Sequence, residues 1–366
     1  MREWDDTVRA SISAGAIEGS RSSRTLVARY GDLRGEYDAL ADGIALIDRS
    51  YRCVLEISGA DRAPWLHNLT TNQVKPLQPG DGNYAFSANI KGRILFDLNI
   101  LVGEESIVVD LDRRFVDTAI AHFNKYKVIE DVTIRDRRED FVIIALAGAG
   151  APGLLAALGA THASTMPVLG HTPVSVLDSP MKMVRHDFCG SFAIELHVPA
   201  DVAGDVWRAL AGRGDEHRAM PVGADAVEIR RIEAGLPWPG SEITDDVLPA
   251  ETGQFERAVS FNKGCYLGQE IVERMRSRGS VAKRLVGLHI QGDSVPTGET
   301  RLELSSGHVV GAVTSACHSP AGNGVVALGY VKSASAEVGT ELKAVWDQAS
   351  AGALVVGFPI CVGETS

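Results

Sequence analysis

The order of strand and helix patterns between Tyr51 and Leu146 is the feature that most constrains the fold of this chain. Residues 51–57 alternate between two faces in the way that is typical of a strand. There follow a helical pattern at 61–69, strand patterns at 83–89, 93–102 and 106–111, a helical pattern at 113–125, and strand patterns at 132–135 and 141–146. Apart from one additional strand between the helices and one at the end, this is the strand–helix–strand–strand–helix–strand order, which predicts a ferredoxin-like half.

A similar order of strand and helix patterns recurs before the chain changes to short strand patterns alone. Strand patterns at 181–186 and 191–198 precede helical patterns at 200–210 and 222–234, the last of which ends at Gly235. After Val281, short alternating segments predict strands at 284–290, 301–304, 309–316, 324–331 and 341–345. We therefore predict an α+β fold with two ferredoxin-like halves and a C-terminal antiparallel β-barrel.

The same patterns predict the domain boundaries. Residues 1–30 are polar and show little periodicity, so we expect a partly ordered leader. A helical pattern at 35–45 then opens the body at 31–280, whose two halves divide near 147–180. The barrel is expected at 281–366.

Composition excludes several classes of protein. With 36 basic and 47 acidic residues the formal charge is −11, which disfavours a general nucleic-acid binder. No apolar run approaches the length of about 18 residues that a membrane span needs, and the N-terminus has no apolar signal segment. We therefore expect a cytoplasmic protein that neither binds a membrane nor is secreted.

Cysteine and histidine spacing gives no metal signature. The five cysteines form no C-x-x-C pair, and the ten histidines show neither H-x-x-x-H nor H-E-x-x-H spacing. The cysteines are Cys53, Cys189, Cys265, Cys317 and Cys361. We predict no metal site, no disulfide framework and a reducing compartment.

Cys265 lies in an unusual sequence context. It occurs in K-G-C-Y-L-G-Q-E, where Lys263 and Gly264 favour an exposed turn and a helical pattern begins at Leu267. A helix N-terminus and a neighbouring cation would lower the pKa of the thiol, which makes Cys265 a candidate catalytic residue. Spacing alone leaves a second interpretation equally open, namely a semi-buried turn cysteine without chemistry.

Two carboxylates interrupt otherwise apolar strands. Asp97 lies between Phe96 and Leu98, where loss of hydration would raise its pKa and suit it to proton transfer. Glu195 lies between Ile194 and Leu196, and one carboxylate accepts two adjacent N–H donors. Strand alternation leaves open that either residue faces solvent.

The motifs resemble a known family. K-G-C-Y-L-G-Q-E is similar to the K-G-C-Y-x-G-Q-E signature of the YgfZ-type tetrahydrofolate-binding proteins, which are relatives of the glycine-cleavage T-protein, an aminomethyltransferase. Residues 89–98 resemble that family's N-x-x-G-[GR]-x-x-x-D-L stretch, and residues 231–235 resemble its R-L-E-A-G helix end. Residues 185–195 resemble its R-x-x-Y-T-G-E-x-G-F-E pattern, although Phe188, Cys189 and Ser191 depart from it.

The resemblance implies a cofactor and its contacts. The cofactor is tetrahydrofolate, or a one-carbon-substituted or polyglutamylated form of it. Glu195 corresponds to the pterin-binding glutamate, and Asp97 to an aspartate near the reactive folate nitrogens. The remaining cofactor-binding residues implied by the matched motifs are Asn89, Arg231 and Lys263, although Arg231 equally suits a helix surface.

Three functions follow from the resemblance. The first is an accessory factor for assembly or repair of iron–sulfur proteins, with Cys265 as the reactive thiol and iron–sulfur client or assembly proteins as partners. The alternative is a folate-dependent aminomethyltransferase or other one-carbon transferase with Asp97 as the base. The third is a module that only sequesters folate.

Overall fold

The structure, a computed structural model, describes residues 17–21, 24–212, 218–278, 281–321 and 324–360. The strands within these ranges are, in chain order, β1 Ile17–Arg21, β2 Arg24–Arg29, β3 Ala45–Asp48, β4 Arg52–Ser58, β5 Gly82–Ala88, β6 Ile94–Val102, β7 Ser106–Asp112, β8 Thr133–Asp136, β9 Phe141–Ala147, β10 His171–Val176, β11 Ser179–Arg185, β12 Ala193–Pro199, β13 Met220–Val222, β14 Lys283–Ile290, β15 Thr300–Glu303, β16 Val309–Ser319, β17 Gly324–Lys332, β18 Glu341–Trp346 and β19 Ala349–Val356.

The helices in the same ranges are α1 Leu33–Ala41, α2 Arg62–Leu69, α3 Val116–Lys125, α4 Ala151–Ala157, α5 Ala203–Gly212, α6 Ala224–Glu233, α7 Phe255–Ala258 and α8 Gln269–Arg278. None of these helices combines the length and the apolar character that crossing a membrane requires.

The described residues divide into two compact units. The first draws on the described residues within 1–87, 96–227 and 262–266, and the second on those within 88–95, 228–261 and 267–366. Each unit has its own apolar core.

The first sheet of the first unit confirms the predicted ferredoxin-like half. Its strand order is β5-β6-β7-β4-β8, so that β4, β6, β7 and β8 form the four-stranded core of the motif and β5 adds an edge strand. The pairs β4–β7 and β6–β7 are antiparallel.

The second sheet repeats this arrangement with an insertion. Its order is β10-β11-β12-β9-β3-β13, and β3 enters between β9 and β13. The helix predicted at 35–45 ends early, because α1 stops at Ala41 and the chain turns through Gly43 into β3. A Cβ at Gly43 would lie 3.0 Å from the Cα of Ala39, so glycine allows this tight exit.

The two faces of the second sheet differ in polarity. Ile194, Leu196 and Val198 of β12 pack in an apolar core that also contains Trp207 of α5. Side chains alternate along a strand, so Glu195 points to the opposite face, where it meets residues of the first sheet. The candidate site is built on this polar face.

The expected leader forms structure in its second half. Strands β1 and β2 pair as an antiparallel hairpin, and Leu26, Val27 and Ala28 are buried. Residues 17–21 and 24–29 of the expected leader therefore form strands, while residues 1–16 lie outside the described ranges. The sequence of this segment shows no periodic pattern, but burial of its short apolar run stabilises the hairpin.

The second unit contains the predicted C-terminal barrel. Six antiparallel strands close it in the order β14-β17-β16-β15-β18-β19, with Leu288, Ile290 and Leu302 in its core. Strand β19 was not predicted, because its first residues, Ala-Ser-Ala-Gly-Ala, carry almost no alternation of polarity. It pairs with both β14 and β18 and so removes the sheet edge.

Candidate functional site

Asp97 lies on β6 and is buried, with 5% of its surface exposed, so the interpretation that it faces solvent is wrong. The Tyr84 hydroxyl donates to its Oδ2 at 3.0 Å, and Nη1 of Arg52 lies 4.0 Å from its Oδ1. Burial raises the pKa of Asp97, against the opposing effects of Arg52 and Tyr84. This direction is the one predicted from the flanking apolar residues.

Arg52 connects Asp97 to a second buried aspartate of the same sheet, Asp110. Arg52 donates from Nε to Oδ1 of Asp110 at 2.8 Å, and Asn99 donates from Nδ2 to the other oxygen of Asp110 at 2.7 Å. Neither Arg52 nor Asp110 was predicted. Asp110 interrupts a buried strand as Asp97 does, so the same sequence signal was present.

Glu195 is fully buried on β12, and the outward-facing interpretation is therefore wrong. Nη2 of Arg49 lies 2.6 Å from its Oε1, and Nδ1 of His186 lies 3.1 Å from the same oxygen. Burial would raise the pKa of Glu195, but Arg49 and then His186 outweigh burial and hold that pKa well below its usual range. Glu195 is therefore a carboxylate at neutral pH.

Arg49, directly after β3, contacts two aromatic side chains. Its guanidinium carbon lies 3.6 Å from the centre of the Phe188 ring, and its Nη1 donates to the Tyr51 hydroxyl at 2.7 Å. Arg49 was not predicted as a neighbour of Glu195, because no spacing rule relates residues so far apart in the chain. His186 was not predicted either, although it directly follows β11, the strand that pairs with the strand of Glu195.

These groups form one assembly, which we call the polar cluster: Arg49, Arg52, Asp97, Asn99, Asp110, His186 and Glu195. One ligand atom each from Asp110, His186 and Glu195 lies within 4.8 Å of the other two. Both oxygens of Asp110 already accept hydrogen bonds, however, and Arg49 is beside Glu195. A metal ion would have to displace these donors, so the donor set is poorly suited to a cation.

Several buried polar atoms of the polar cluster make no hydrogen bond within the described residues. They are Oε2 of Glu195, Oδ1 of Asp97, Oδ1 of Asn99 and Nε of Arg49. Buried polar groups are ordinarily paired, so such a concentration marks a place for a polar ligand. Most of these atoms are acceptors, which favours a ligand that presents N–H donors.

Cys265 is exposed, whereas Cys53 and Cys189 are buried. The interpretation of Cys265 as a semi-buried turn cysteine is therefore wrong. Helix α8 begins at Gln269, two residues later than predicted, so Cys265 precedes the helix by four residues and is outside its first turn. Cys361 lies outside the described ranges.

Lys263 binds backbone rather than presenting a free cation. Its Nζ donates to the carbonyl oxygens of His67, Thr70 and Asn72 at 2.6, 2.6 and 2.7 Å. Burial, with a smaller effect of Lys75, lowers the pKa of Lys263 to about 7. All three ammonium protons are in use, so the prediction that Lys263 binds the cofactor is not supported, and the residue instead holds the loop after α2.

Asn89 forms the turn between β5 and β6. Its Oδ1 accepts from the backbone N–H groups of Lys91 and Arg93 at 2.8 and 3.2 Å. A Cβ at Gly268 would lie 2.5 Å from the Asn89 carbonyl oxygen, so that glycine permits close packing on the turn. Asn89 therefore has a turn-forming role, and its contact with a cofactor stays a prediction.

Arg231 is buried, with 1% exposed, so the interpretation of Arg231 as a helix-surface arginine is wrong. Its Nε and Nη2 donate to Glu228, its Nη1 to Glu242 and the Leu236 carbonyl, and its Nη2 also to Ser315. A guanidinium has five N–H donors, and these acceptors engage all of them. Arg231 is a structural residue of the second unit.

His67 provides a pH-dependent contact in the first unit. It is buried, and its Nδ1 accepts from the backbone N–H groups of Val74 and Lys75 at 3.1 and 3.4 Å. Burial, followed by the charges of Lys263 and Lys75, lowers the pKa of His67 from 6.5 to about 4. The neutral imidazole is therefore the form that folding favours.

We expect the free energy of unfolding to fall by about 1 kcal/mol between pH 7 and pH 5 on account of His67. The unfolded chain binds this proton below about pH 6.5 and the folded chain only near pH 4, so stability is lost across that window as pH falls. Urea titrations of wild type and His67→Gln at both pH values measure the loss. An equal pH dependence in the two proteins would contradict the assignment.

Comparisons with known proteins agree with this architecture. Residues 22–263 match the GCVT N-terminal domain, and residues 283–360 match the glycine cleavage T-protein C-terminal barrel domain. An aminomethyltransferase of Streptomyces coelicolor is 30% identical over 319 residues, which cover 86% of this chain and 85% of the relative. A putative chloroplastic transferase of Arabidopsis thaliana is 27% identical over 335 residues, which cover 91% and 74%.

A solved structure has the same fold. The crystal structure of glycine cleavage system aminomethyltransferase T from Bartonella henselae superposes with a TM-score of 0.86 over 95% of both chains, at 22% sequence identity. At this identity the similarity establishes the fold alone, and any chemistry has to be argued from the residues of the site.

Proposed function

Because the chain belongs to the glycine cleavage T-protein family, we propose that it binds tetrahydrofolate at the polar cluster of the first unit. The observation that carries the proposal is the set of buried acceptor oxygens without a hydrogen bond in the described residues, namely Oε2 of Glu195 and Oδ1 of Asp97 and of Asn99. The pterin ring of a folate presents adjacent N–H donors along one edge, which a carboxylate can accept as a pair. Phe188 adds an aromatic face beside Glu195, where a planar ring can stack.

We propose one-carbon transfer as the use of this folate, since relatives over most of the chain are named aminomethyltransferases. The bound folate would supply the nitrogen that accepts the one-carbon unit. Asp97 is the residue suited to orient or deprotonate that amine, because its raised pKa strengthens it as a base and its Oδ1 has no hydrogen bond.

Glu195→Gln is expected to weaken folate binding about 30- to 100-fold, since the change removes a charge-assisted pair of roughly 2–3 kcal/mol. The measurement is isothermal titration calorimetry with 5-formyltetrahydrofolate, a stable reduced folate. Glu242→Gln is the matched control, because Glu242 is also fully buried and ion-paired with an arginine, at 3.0 Å, but belongs to the second unit. Its dissociation constant should equal that of wild type.

Two results would count against folate binding at this site. One is a wild-type protein that gives no binding heat, and the other is a folded Glu195→Gln protein that binds as tightly as wild type.

A second candidate function is favoured by the exposed thiol of Cys265. In this reading the protein is a folate-binding accessory factor for assembly or repair of iron–sulfur proteins. A single thiolate cannot hold a cluster alone, but an accessible one can act as a temporary ligand shared with a client protein. Folate binding at the polar cluster is common to both candidates.

Complementation of a deletion strain separates the two candidates. If the thiol acts on iron–sulfur clients, Cys265→Ala should leave iron–sulfur enzyme activities in extracts at the level of the deletion strain. Cys317→Ala is the control, because Cys317 is a half-buried free cysteine of the second unit and its loss should restore wild-type activity. Full restoration by Cys265→Ala would exclude the thiol function and leave one-carbon transfer.

A further inference from the structure

We propose that the guanidinium of Arg49 makes, on Glu195 and Phe188, the same two contacts that a pterin ring would make, so that folate binding requires Arg49 to leave Glu195. Arg49 would thereby set the affinity and the selectivity of the site. This inference rests on the proposed function, since it concerns the same carboxylate.

The first shared contact is with the carboxylate. Nη2 of Arg49 lies 2.6 Å from Oε1 of Glu195, and Nδ1 of His186 lies 3.1 Å from that oxygen. A guanidinium and an aminopyrimidine edge are both planar groups with adjacent N–H donors. A paired interaction uses both oxygens of one carboxylate, so a pterin edge cannot form it while Arg49 keeps Oε1.

The second shared contact is with the ring face. The guanidinium carbon of Arg49 is 3.6 Å from the centre of the Phe188 ring, which is the separation of two stacked planar groups. This face of Phe188 accommodates a single planar group at that distance. A pterin ring that bonded Glu195 and stacked on Phe188 would therefore replace the guanidinium on both sides.

Arg49 also makes fewer hydrogen bonds than Arg52 and Arg231, the other buried arginines of the described residues. Within the described residues its guanidinium makes one hydrogen bond, from Nη1 to the Tyr51 hydroxyl at 2.7 Å, and its Nε makes none. Arg52 makes two hydrogen bonds to Asp110, and all five donors of Arg231 are engaged. A ligand that takes over the contacts with Glu195 and Phe188 therefore leaves fewer hydrogen bonds unreplaced when it displaces Arg49 than it would on displacing either of the others.

The competition defines the class of ligand. The occupant must replace a planar donor of two N–H groups, so an uncharged aminopyrimidine ring satisfies the site. An aromatic amide that carries only the carboxylate tail of a folate does not. Pterin itself should therefore bind and compete with 5-formyltetrahydrofolate, whereas p-aminobenzoylglutamate should not compete.

The test is calorimetry of the full chain with 5-formyltetrahydrofolate. Arg49→Gln, which cannot form the ion pair or stack as a cation, is expected to bind at least tenfold more tightly than wild type. Arg185→Gln is the matched control, because Arg185 also stacks on a phenylalanine, at 3.8 Å from the Phe192 ring centre, and is ion-paired with Asp187 at 2.7 Å. Its affinity should not change.

Equal or weaker binding by a folded Arg49→Gln protein would overturn the inference and make Arg49 a positioning residue. Absence of binding heat from both wild type and Arg49→Gln would instead overturn folate binding itself, and the inference with it. Binding of 5-formyltetrahydrofolate by Arg49→Gln but not by wild type would support both the displacement of Arg49 and folate binding at this site.

If Arg49→Gln does not fold, NMR of the wild-type protein decides. The Nε–H signal of Arg49, identified by its loss in Arg49→Lys, should shift and exchange faster with solvent when the protein is saturated with 5-formyltetrahydrofolate. A signal unchanged at saturation would overturn the inference.

Discussion

Asp97→Asn is expected to lower folate-dependent one-carbon transfer about 100- to 10,000-fold, the range ordinarily lost with a general base. The amide keeps the size of the carboxylate and can still accept from the Tyr84 hydroxyl, but it cannot take up a proton. Folate affinity should change only a few-fold, because the change leaves Glu195 in place. The measurement is steady-state transfer from a methylamine-type donor, with the dissociation constant of the folate determined in parallel.

The same variant should be at least as stable as wild type at pH 7. Because burial raises the pKa of Asp97 in the folded state, its ionisation costs stability as pH rises above about 3.8, the value in the unfolded chain. Asparagine avoids that cost. Asp112→Asn, at another buried aspartate of the first sheet, is the control and should retain transfer. Full activity in Asp97→Asn would show that Asp97 is not the base.

Arg231→Met is expected to reduce the free energy of unfolding by about 3–5 kcal/mol, the usual cost of breaking a buried ion pair from one side. The change leaves the fully buried carboxylate of Glu242 without its cation and Ser315 without a donor. Equilibrium unfolding in urea measures the loss.

Arg231→Met combined with Glu242→Gln should recover part of this loss, because the second change removes the uncompensated charge. Such recovery would separate the electrostatic cost from the loss of packing. A loss below about 1 kcal/mol in Arg231→Met alone would contradict a structural role for the five hydrogen bonds of its guanidinium.

Local sequence patterns were sufficient for most elements. Asp97 and Glu195 were selected because each places a carboxylate inside an apolar strand and because each corresponds to a residue of the family motifs, and their roles in the site stay predictions. Strand β19 and the insertion of β3 were missed, since small residues and short buried runs carry weak periodicity.

The polar residues outside strands were predicted less well. Cofactor contacts were expected for Asn89, Arg231 and Lys263. In the structure the side-chain oxygen of Asn89 and the N–H donors of Arg231 and Lys263 form hydrogen bonds within the protein. The chemistry of an amide, guanidinium or ammonium group is the same whether its partner is a ligand or a backbone carbonyl. Sequence patterns do not distinguish the two cases.

The amino-acid sequence by itself determined the order of most strands and helices, the presence of two carboxylates within apolar strands, and the relationship to the T-protein family, because these depend on contiguous residues. Only the tertiary structure decided that Arg49, Arg52, Asp110 and His186 surround those carboxylates. Pairing between distant strands brings these charges together, and it is the geometry of that pairing that sets their pKa values and leaves acceptors free for a ligand.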